Sequence, residues 1–218
     1  MTRIVIAIAA IFALSVACGG SDGDEITPTP SPDAREILQL SDGAMNMLTS
    51  VKEEVTGGNA PTTLLYEAPD RSQGDSAAGK WSRCVAGSRA WERQLADDGT
   101  WGLWALLEET AGEWEWPDYR RLLRGFEVED LRFVEEAAFA GEEVWVITYD
   151  YTYLTYDSSV PSTDTEWIAK ETHWLLKAEH WQDDPLGFTG TTTTVYSRHD
   201  ESQDIECPVP SDDGAGGG

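Results

Sequence analysis

The sequence predicts an α+β domain in which a curved antiparallel sheet wraps around helices. Three observations support this fold class. An amphipathic helical pattern follows residue 33, short runs rich in Val, Ile, Thr, Tyr and Trp follow residue 62, and turn-forming residues separate those runs. The chain has 218 residues, a length that suits one such domain with short extensions at both ends.

The first predicted element is an amphipathic helix that begins near Asp33. Asp33 is a favourable N-cap residue, and Glu36, three positions later, completes a capping-box pattern. The apolar positions then recur at helical spacing and form one face: Ile37, Leu38, Ala44, Met45, Leu48 and Val51. Gly57 and Gly58 are expected to end this helix.

The remaining elements are mostly antiparallel strands. We predict them at residues 62–67, 80–86, 89–95, 127–135, 143–154, 165–171, 173–182 and 189–198. Turn signals such as Ala68-Pro69-Asp70 and Asp97-Asp98-Gly99 separate neighbouring strands. A second, short helix is predicted at 117–124, because Pro117 suits a first helical position and Gly125 a helix end. The Trp-rich stretch 101–116 predicts a further helical turn.

The clearest strand covers residues 144–154. Its odd positions are Trp145, Ile147, Tyr149, Tyr151 and Tyr153, and its even positions include Thr148, Asp150 and Thr152. Because alternate residues of a strand point to opposite faces, one face of this strand is almost wholly aromatic.

Residues 1–18 have the pattern of a signal peptide that ends at a lipid-attachment cysteine. Arg3 precedes an apolar run shorter than the ~20 residues that a membrane-spanning helix needs. Cys18 follows small residues, a pattern that resembles the lipobox of bacterial lipoproteins. We predict that Cys18 carries acyl groups such as palmitate and anchors an exported chain to the outer side of the cell membrane. The alternative is an ordinary secretory signal that contains a cysteine.

Changes in composition divide the chain into four parts. Residues 1–18 are the signal peptide and lipobox, and residues 19–33 form a disordered tether rich in Pro, Thr and Gly. Residues 34–210 form the folded domain, and residues 211–218 form a disordered acidic, Gly-rich tail. In its extended form the tether would hold the domain up to about 45 Å from the bilayer.

The charge of the chain argues against nucleic acid as a partner. The chain has 40 acidic and 15 basic side chains, a net charge of −25, and no basic cluster. Such a surface repels phosphate backbones and anionic headgroups. We interpret the acidity as a contribution to solubility rather than as an acidic ligand site, and we expect a monomer.

Two cysteines remain once Cys18 is assigned to lipid attachment. An oxidising compartment outside the cell membrane favours a disulfide between Cys84 and Cys207. The alternative is two separate buried thiols. A disulfide that closes such a long loop would stabilise the fold by about 4 to 5 kcal/mol in the chain-entropy model.

No residue pattern in the sequence indicates catalysis, a metal or a cofactor. Residues 19–23 match G-x-S-x-G, but they lie in the tether rather than between a strand and a helix. The histidines His173, His180 and His199 lack the spacing of a metal site, and we expect them at the surface. His173 and His180 would point to opposite faces of a regular strand. The chain is therefore predicted not to be an enzyme.

Across residues 34–209 the order of elements resembles that of the LolA/LppX-like lipoprotein carriers. The resemblance lies in a succession of segments rather than in one invariant motif. In chain order the segments are Ile37-Leu38-Gln39-Leu40-Ser41-Asp42-Gly43-Ala44-Met45, Tyr66-Glu67-Ala68-Pro69-Asp70-Arg71, Asp98-Gly99-Thr100-Trp101, Leu122-Leu123 ahead of Glu142-Glu143-Val144-Trp145, residues 170–179, and residues 191–197 followed by Ile205-Glu206-Cys207-Pro208. The Trp-rich insertion at 101–116 and the acidic surface depart from the family's pattern.

The resemblance implies a strongly curved antiparallel β half-barrel closed by the N-terminal amphipathic helix and the second short helix. It also implies an apolar cavity between sheet and helices that holds acyl chains, a task that needs burial and no catalytic group. The side chains that would line the cavity are Ile37, Met45, Leu48, Trp145, Ile147, Tyr149 and Tyr151. Ordinary core packing is the alternative role for these residues.

Two hypotheses about function follow. The first is a membrane-anchored envelope lipoprotein that binds lipid or acylated protein in transport. The second is a non-catalytic envelope module for sensing or protein docking, with an interior filled by its own side chains. A connected apolar cavity favours the first hypothesis, whereas a filled interior with an exposed aromatic patch favours the second.

Overall fold

The structure of the chain is a computed structural model. It describes residues 32–58, 61–68, 71–76, 78–87, 89–107, 128–154, 159–184 and 187–208. The predicted signal peptide with Cys18, the tether up to residue 31, the second helix at 117–124 and the tail at 211–218 lie outside these ranges. Within them, no helix combines the length and the apolar character needed to cross a membrane.

The described chain begins with one α-helix, α1 (Ala34–Asn46). Asp33 is its N-cap, as predicted, and the Asp33 carboxylate accepts a hydrogen bond from the Arg35 backbone N–H at 2.9 Å. The buried stripe of α1 consists of Ala34, Ile37, Leu38, Ser41, Asp42 and Met45. The predicted apolar face therefore exists, and it includes one carboxylate.

The helix ends earlier than the sequence predicts. Its C-cap is Met47, and strand β1 (Ser50–Gly57) takes the place of the predicted last turns. The prediction of a helix up to Gly57 was wrong because pairing with another strand on each of its two sides holds this segment in the sheet. Val51 and Glu53 are buried at alternate positions of β1 and thus follow the period of a strand.

Eleven antiparallel strands form one sheet in the order β6-β5-β4-β3-β2-β1-β11-β10-β9-β8-β7. The strands after β1 are β2 (Thr62–Glu67), β3 (Arg71–Ser76), β4 (Trp81–Ala86), β5 (Arg89–Gln94), β6 (Ala105–Leu107), β7 (Glu129–Phe139), β8 (Glu142–Leu154), β9 (Ser159–Ala169), β10 (Leu175–Asp183) and β11 (Thr189–Ser197). Among the described strands, β6 and β7 are the two ends, so the sheet is open. The α+β class is confirmed, and the wide open sheet is consistent with a curved half-barrel.

The eight predicted strands correspond to β2, β4, β5 and β7 to β11. The sequence prediction missed β3 because its residues are polar or glycine; pairing with β2 and β4 on both sides holds it in the sheet. It also missed β6, which lies in the Trp-rich stretch where a helical turn was expected. Strand β9 begins at Ser159, earlier than the predicted start at 165.

The register defines two faces of the sheet, because residues paired directly across antiparallel strands lie on the same face. We call the face that packs against α1 the helix-side face. Its buried side chains include Val51, Tyr66, Ile147, Ile168 and Tyr196, which form one core with α1. The opposite, outer face carries a smaller apolar cluster of Val144, Val146, Ala169 and Leu176.

The chain after β11 crosses the outer face of β3 and β4, and we call residues 199–208 the C-terminal strap. The Arg71 guanidinium donates a hydrogen bond to the Ile205 carbonyl at 2.9 Å. The Glu206 N–H donates to the Gln73 side-chain oxygen at 2.7 Å. These bonds fix the end of the strap against the sheet.

The strap places Cys207 beside Cys84 of β4, and the structure holds both as free thiols. A hydrogen bond shared with Cys207, together with burial, raises the pKa of Cys84. The same hydrogen bond lowers the pKa of Cys207. The two sulfurs are therefore close neighbours, as a disulfide requires, and the disulfide itself stays a prediction.

We expect the chain purified without reductant to be lighter than the reduced chain by two hydrogen atoms, because Cys84 and Cys207 form a disulfide. Reduction should then lower the free energy of unfolding by about 4 to 5 kcal/mol. The control, Cys207→Ser, should show the same stability with and without reductant. Alkylation of both thiols before any reduction would contradict the prediction, and mass spectrometry measures it directly.

Candidate functional site

The candidate site lies on the helix-side face, between α1 and strands β8, β9 and β10. All seven side chains that the sequence assigns to a cavity lining belong to the one core there: Ile37, Met45, Leu48, Trp145, Ile147, Tyr149 and Tyr151. Two of them, Trp145 and Tyr151, are partly buried, and the other five are buried. The structure thus brings the predicted residues together, and their contact with a ligand stays a prediction.

One end of the site is apolar. Met45, Ile147, Ile168 and Leu175 are almost completely buried there. The Met45 sulfur accepts a hydrogen bond from the Leu175 N–H at 3.3 Å, which links α1 to the start of β10. This dry surface has the chemical character that hydrocarbon requires.

Two buried carboxylates lie in the middle of the site. Asp164 and Glu166 of β9 lie opposite Tyr149 and Ile147 of β8. The Tyr149 hydroxyl is 2.9 Å from Glu166 Oε1 and 3.2 Å from Asp164 Oδ2, and the exposed fractions of Glu166 and Asp164 are 0% and 5%. Because burial of a carboxylate is costly unless hydrogen bonds compensate it, the hydroxyl between the two acids offsets part of that cost.

His180 of β10 extends this network toward the open end of the site. Its Nδ1 lies 2.7 Å from Asp164 Oδ1 and 3.1 Å from the Tyr151 hydroxyl, and its Nε2 lies 3.0 Å from Gln182 Oε1. The Gln182 amide nitrogen donates to the Phe188 carbonyl at 2.9 Å, so the Gln182 oxygen is the atom that faces the ring. Both ring nitrogens therefore have hydrogen-bonding partners within the site.

The three strands together form a gradient from apolar to polar side chains, which we call the site gradient. Along β8 the residues are Trp145, Ile147, Tyr149 and Tyr151; their partners in β9 are Ile168, Glu166, Asp164 and Ser162; β10 continues with Leu175, Ala178, His180 and Gln182. On β10 exposure rises in the same direction, since Leu175 and Ala178 are buried and His180 and Gln182 are partly exposed. On β8 the middle residues Ile147 and Tyr149 are buried, and Trp145 and Tyr151 at the two ends are both partly exposed. The face thus has an apolar end and a polar end.

Two further buried carboxylates lie on this side of the sheet. Asp42 belongs to the buried stripe of α1, and Glu53 is buried in β1. Burial raises the pKa of Tyr66, and the nearby charge of Glu53 raises it further. The sequence predicted an apolar interior, but this face also contains a substantial set of buried acids.

The network offers hydrogen-bonding groups and charge. In the part of the chain that the structure describes, no three His, Cys, Asp or Glu side chains are arranged to hold a metal ion. His180 Nδ1 and Asp164 Oδ1 lie 2.7 Å apart, so the two side chains form an ion pair when the ring is protonated. The arrangement thus presents polar groups at the Tyr151 end and apolar groups at the Met45 end.

Sequence reasoning missed the polar network. Ser162, Asp164 and Glu166 alternate along β9, which is the period of one strand face, but the predicted strand began only at 165. Acidic residues at alternate positions normally face solvent. The alternation was a usable signal, and only the register with β8 shows that these acids face the core.

The structure corrects the expectations for two histidines. His199 is buried: it stacks on Trp174 with ring centroids 4.7 Å apart, and its Nε2 lies 3.1 Å from the Leu175 carbonyl oxygen. Burial lowers the pKa of His199. His173 precedes β10 instead of lying within it and stacks on Trp145, so the opposite-face prediction, which assumed a regular strand, was wrong.

The chain matches no known family model and no curated protein. Among solved structures, it is similar to Mycobacterium tuberculosis lipoprotein LppX, with a TM-score of 0.57 and 20% sequence identity over 81% of this chain and 100% of that chain. Two weaker similarities have a TM-score of 0.33. One is a DUF1329 family protein from Desulfovibrio piger, with 8% identity over 79% of this chain and 95% of that chain. The other is a putative outer membrane lipoprotein-sorting protein domain from Vibrio parahaemolyticus, with 9% identity over 80% of this chain and 95% of that chain.

The similarity to LppX confirms the fold that the order of sequence segments predicted. The chain shares the fold of LppX, and in the described part of this chain a wide antiparallel sheet packs against α1. At this level of identity the comparison concerns the fold alone. The function has to be argued from the site.

We expect Tyr149→Phe to lower the free energy of unfolding by about 1.5 to 3 kcal/mol, because hydrogen bonds to buried charged groups have this value. The matched control is Tyr151→Phe, which removes a hydroxyl that contacts the partly exposed His180. Its expected cost is about 0.5 to 1.5 kcal/mol. Urea unfolding followed by Trp fluorescence measures both variants, and equal costs would argue against a special role for the Tyr149 hydroxyl.

Proposed function

We propose that this chain is an envelope lipoprotein that binds a lipid or an acylated protein between α1 and the sheet and takes part in its transport. The site gradient is the observation that supports this proposal best. An amphiphile has an apolar end and a polar end, and the face has the same two ends in the order Met45 to Tyr151. The acyl chains of such a ligand match the apolar end of the face, and its polar head matches the polar end.

The apolar end supplies binding energy through burial alone. Removing one CH2 group from water is worth about 0.8 kcal/mol, so acyl chains need a dry surface and no catalytic group. Met45, Ile147 and Ile168 are buried in a core that includes α1. An acyl chain therefore enters by displacing α1 or by moving these side chains, and the packing of α1 should differ between the free and the bound chain.

Acylation of Cys18 fits the same proposal. The structural neighbour LppX is a lipoprotein by name, and the start of this chain has a lipobox-like pattern. Stable attachment needs more than one acyl chain, because a single chain binds a membrane only marginally. The tether would then allow the domain to reach ligands up to about 45 Å from the outer side of the membrane.

A non-catalytic sensing or protein-docking module is the second candidate function. The packing of the apolar end favours it, because Met45, Ile147 and Leu175 are buried by the protein's own side chains. In that case α1 is a permanent cover rather than a movable one. The two candidates differ in a measurable property, the uptake of lipid.

We expect the full chain extracted from membranes to carry lipid in native mass spectrometry and to bind a phosphatidylcholine with a dansyl label on one acyl chain. Met45→Trp should weaken binding of that labelled lipid by about tenfold, because added bulk at the apolar end costs about 1 to 3 kcal/mol. Met47→Trp is the matched control, since Met47 is 84% exposed and should leave binding unchanged.

Circular dichroism of both variants verifies that they remain folded. A ligand-free wild-type chain that takes up no labelled phosphatidylcholine would refute lipid carriage and leave the docking module as the function. Equal loss of binding in both variants would show that the apolar end is not where the probe binds.

Cys18→Ala is expected to remove the membrane anchor, because the acyl acceptor is lost. In cell fractionation the variant should be either uncleaved or released, whereas the wild-type chain stays with membranes and is extracted by detergent. The comparison variant Cys84→Ala keeps Cys18 and should remain attached. Unchanged cleavage and membrane retention of Cys18→Ala after washing without detergent would disprove lipid attachment at this residue.

A further inference from the structure

Exposed apolar side chains project at the β6 end of the sheet. We call residues 101–107, with the sequence Trp-Gly-Leu-Trp-Ala-Leu-Leu, the apolar tip; it comprises the segment after the 97–100 turn and strand β6. The exposed fraction is 95% for Leu103 and 62% for Leu106. Scattered exposed leucines are common, but a run of this kind beside two tryptophans marks an interaction site.

The indole rings of the tip are held by Arg93 of β5. The Arg93 guanidinium carbon lies 4.4 Å from the Trp104 ring centroid and 5.0 Å from that of Trp101, within the range of cation–π contacts. Arg93 is also 3.5 Å from the Glu206 carboxylate of the C-terminal strap. Leu103 therefore protrudes from a segment whose neighbouring indole rings are held in place by Arg93.

The backbone of the tip is held as well. The Gly102 N–H donates to the Gln94 carbonyl at 2.9 Å, and Leu95 pairs with Trp101 in an isolated antiparallel bridge. The preceding turn is closed by a hydrogen bond from the Ala96 N–H to the Thr100 carbonyl. A tip ordered in this way loses little further conformational entropy when a partner binds.

We propose that the apolar tip docks the domain on the surface of a bilayer of zwitterionic lipid, with Leu103 inserted among the acyl chains. Trp101 and Trp104 flank Leu103. Indole rings favour the headgroup level of a bilayer, because the ring is apolar and its N–H can hydrogen-bond to water or headgroups. A stable protein interface usually buries about 800 Å² on each partner. A tip of seven residues with one protruding leucine suits insertion into lipid better than a broad protein contact.

The charges around the tip favour a zwitterionic rather than an anionic surface. Asp97 and Asp98 occupy the turn beside the tip, and the whole chain has a net charge of −25. Lys80 is paired with Asp97, and Arg93 is paired with Glu206. Anionic headgroups would repel this surface, whereas zwitterionic headgroups have no net charge and do not repel it.

The test uses the full chain in vesicles of phosphatidylcholine that contain a phosphatidylcholine brominated in its upper acyl chain, which quenches nearby tryptophans. Emission of the wild-type chain should be quenched. Leu103→Asp should lower the ratio of docked to undocked tip by about tenfold or more, the value of burying one leucine. The matched control Met47→Asp makes the same charge change at another exposed apolar residue and should be quenched like the wild type.

The wild type, Leu103→Asp and Met47→Asp have the same N-terminus and the same candidate site. The comparison among them is therefore independent of acylation at Cys18 and of lipid carriage in the site. Equal quenching of the wild type and Leu103→Asp would overturn the proposal. Stronger quenching in brominated phosphatidylglycerol vesicles would overturn the choice of a zwitterionic surface. Self-association that Leu103→Asp abolishes, without quenching in any vesicle, would identify the tip as a protein contact instead.

Discussion

Covering one face of a wide, open antiparallel sheet is the constraint on which the rest of this structure depends. An amphipathic sheet face is stable only when another layer excludes water from it. In the described chain α1 supplies part of that layer, and its buried stripe joins residues from β1, β2 and β8 to β11 in one core. The bond between Met45 and Leu175 ties the helix to the sheet at the driest point. The candidate site lies where this cover meets the sheet.

The buried acids set a second constraint, because Asp164 and Glu166 cost stability wherever they are not compensated. Tyr149 and His180 compensate them in part and fix their positions. An apolar pair of similar size would pack at lower cost, so stability alone does not account for these residues. On the proposed function they have a use, since they give the ligand-facing surface a polar end and so orient an amphiphile.

The sequence predicted the elements whose local pattern agrees with their final environment. Strand β8 alternates clearly, and Trp145, Ile147, Tyr149 and Tyr151 face the core as expected. Strands β1 and β3 were not predictable in this way, because β1 contains Val51 at helical spacing from Leu48 and β3 has a polar sequence. Pairing with neighbouring strands decides both, and pairing is a non-local property.

The same distinction applies to the site. The seven side chains assigned to a cavity lining recur at helical and strand periods, and the structure places all of them in one core; their contact with a ligand stays a prediction. The contacts of Tyr149 with Asp164 and of His199 with Leu175 depend on register and on the path of the strap, which local patterns do not contain. The proximity of Cys84 and Cys207 is a non-local contact that the sequence did predict. With Cys18 assigned to lipid attachment, these two are the cysteines that remain to pair in an exported chain.

The acidity of the chain links the two proposed surfaces. Within the site, buried carboxylates disfavour a ligand whose head carries negative charge near Asp164. At the apolar tip, Asp97 and Asp98 disfavour an anionic membrane for the same reason. A carrier that takes up and delivers a neutral or zwitterionic amphiphile meets no electrostatic barrier at either step, whereas an anionic ligand would meet one at both. On the two proposals, the net charge, interpreted from the sequence as a contribution to solubility, would also select among possible ligands and membranes.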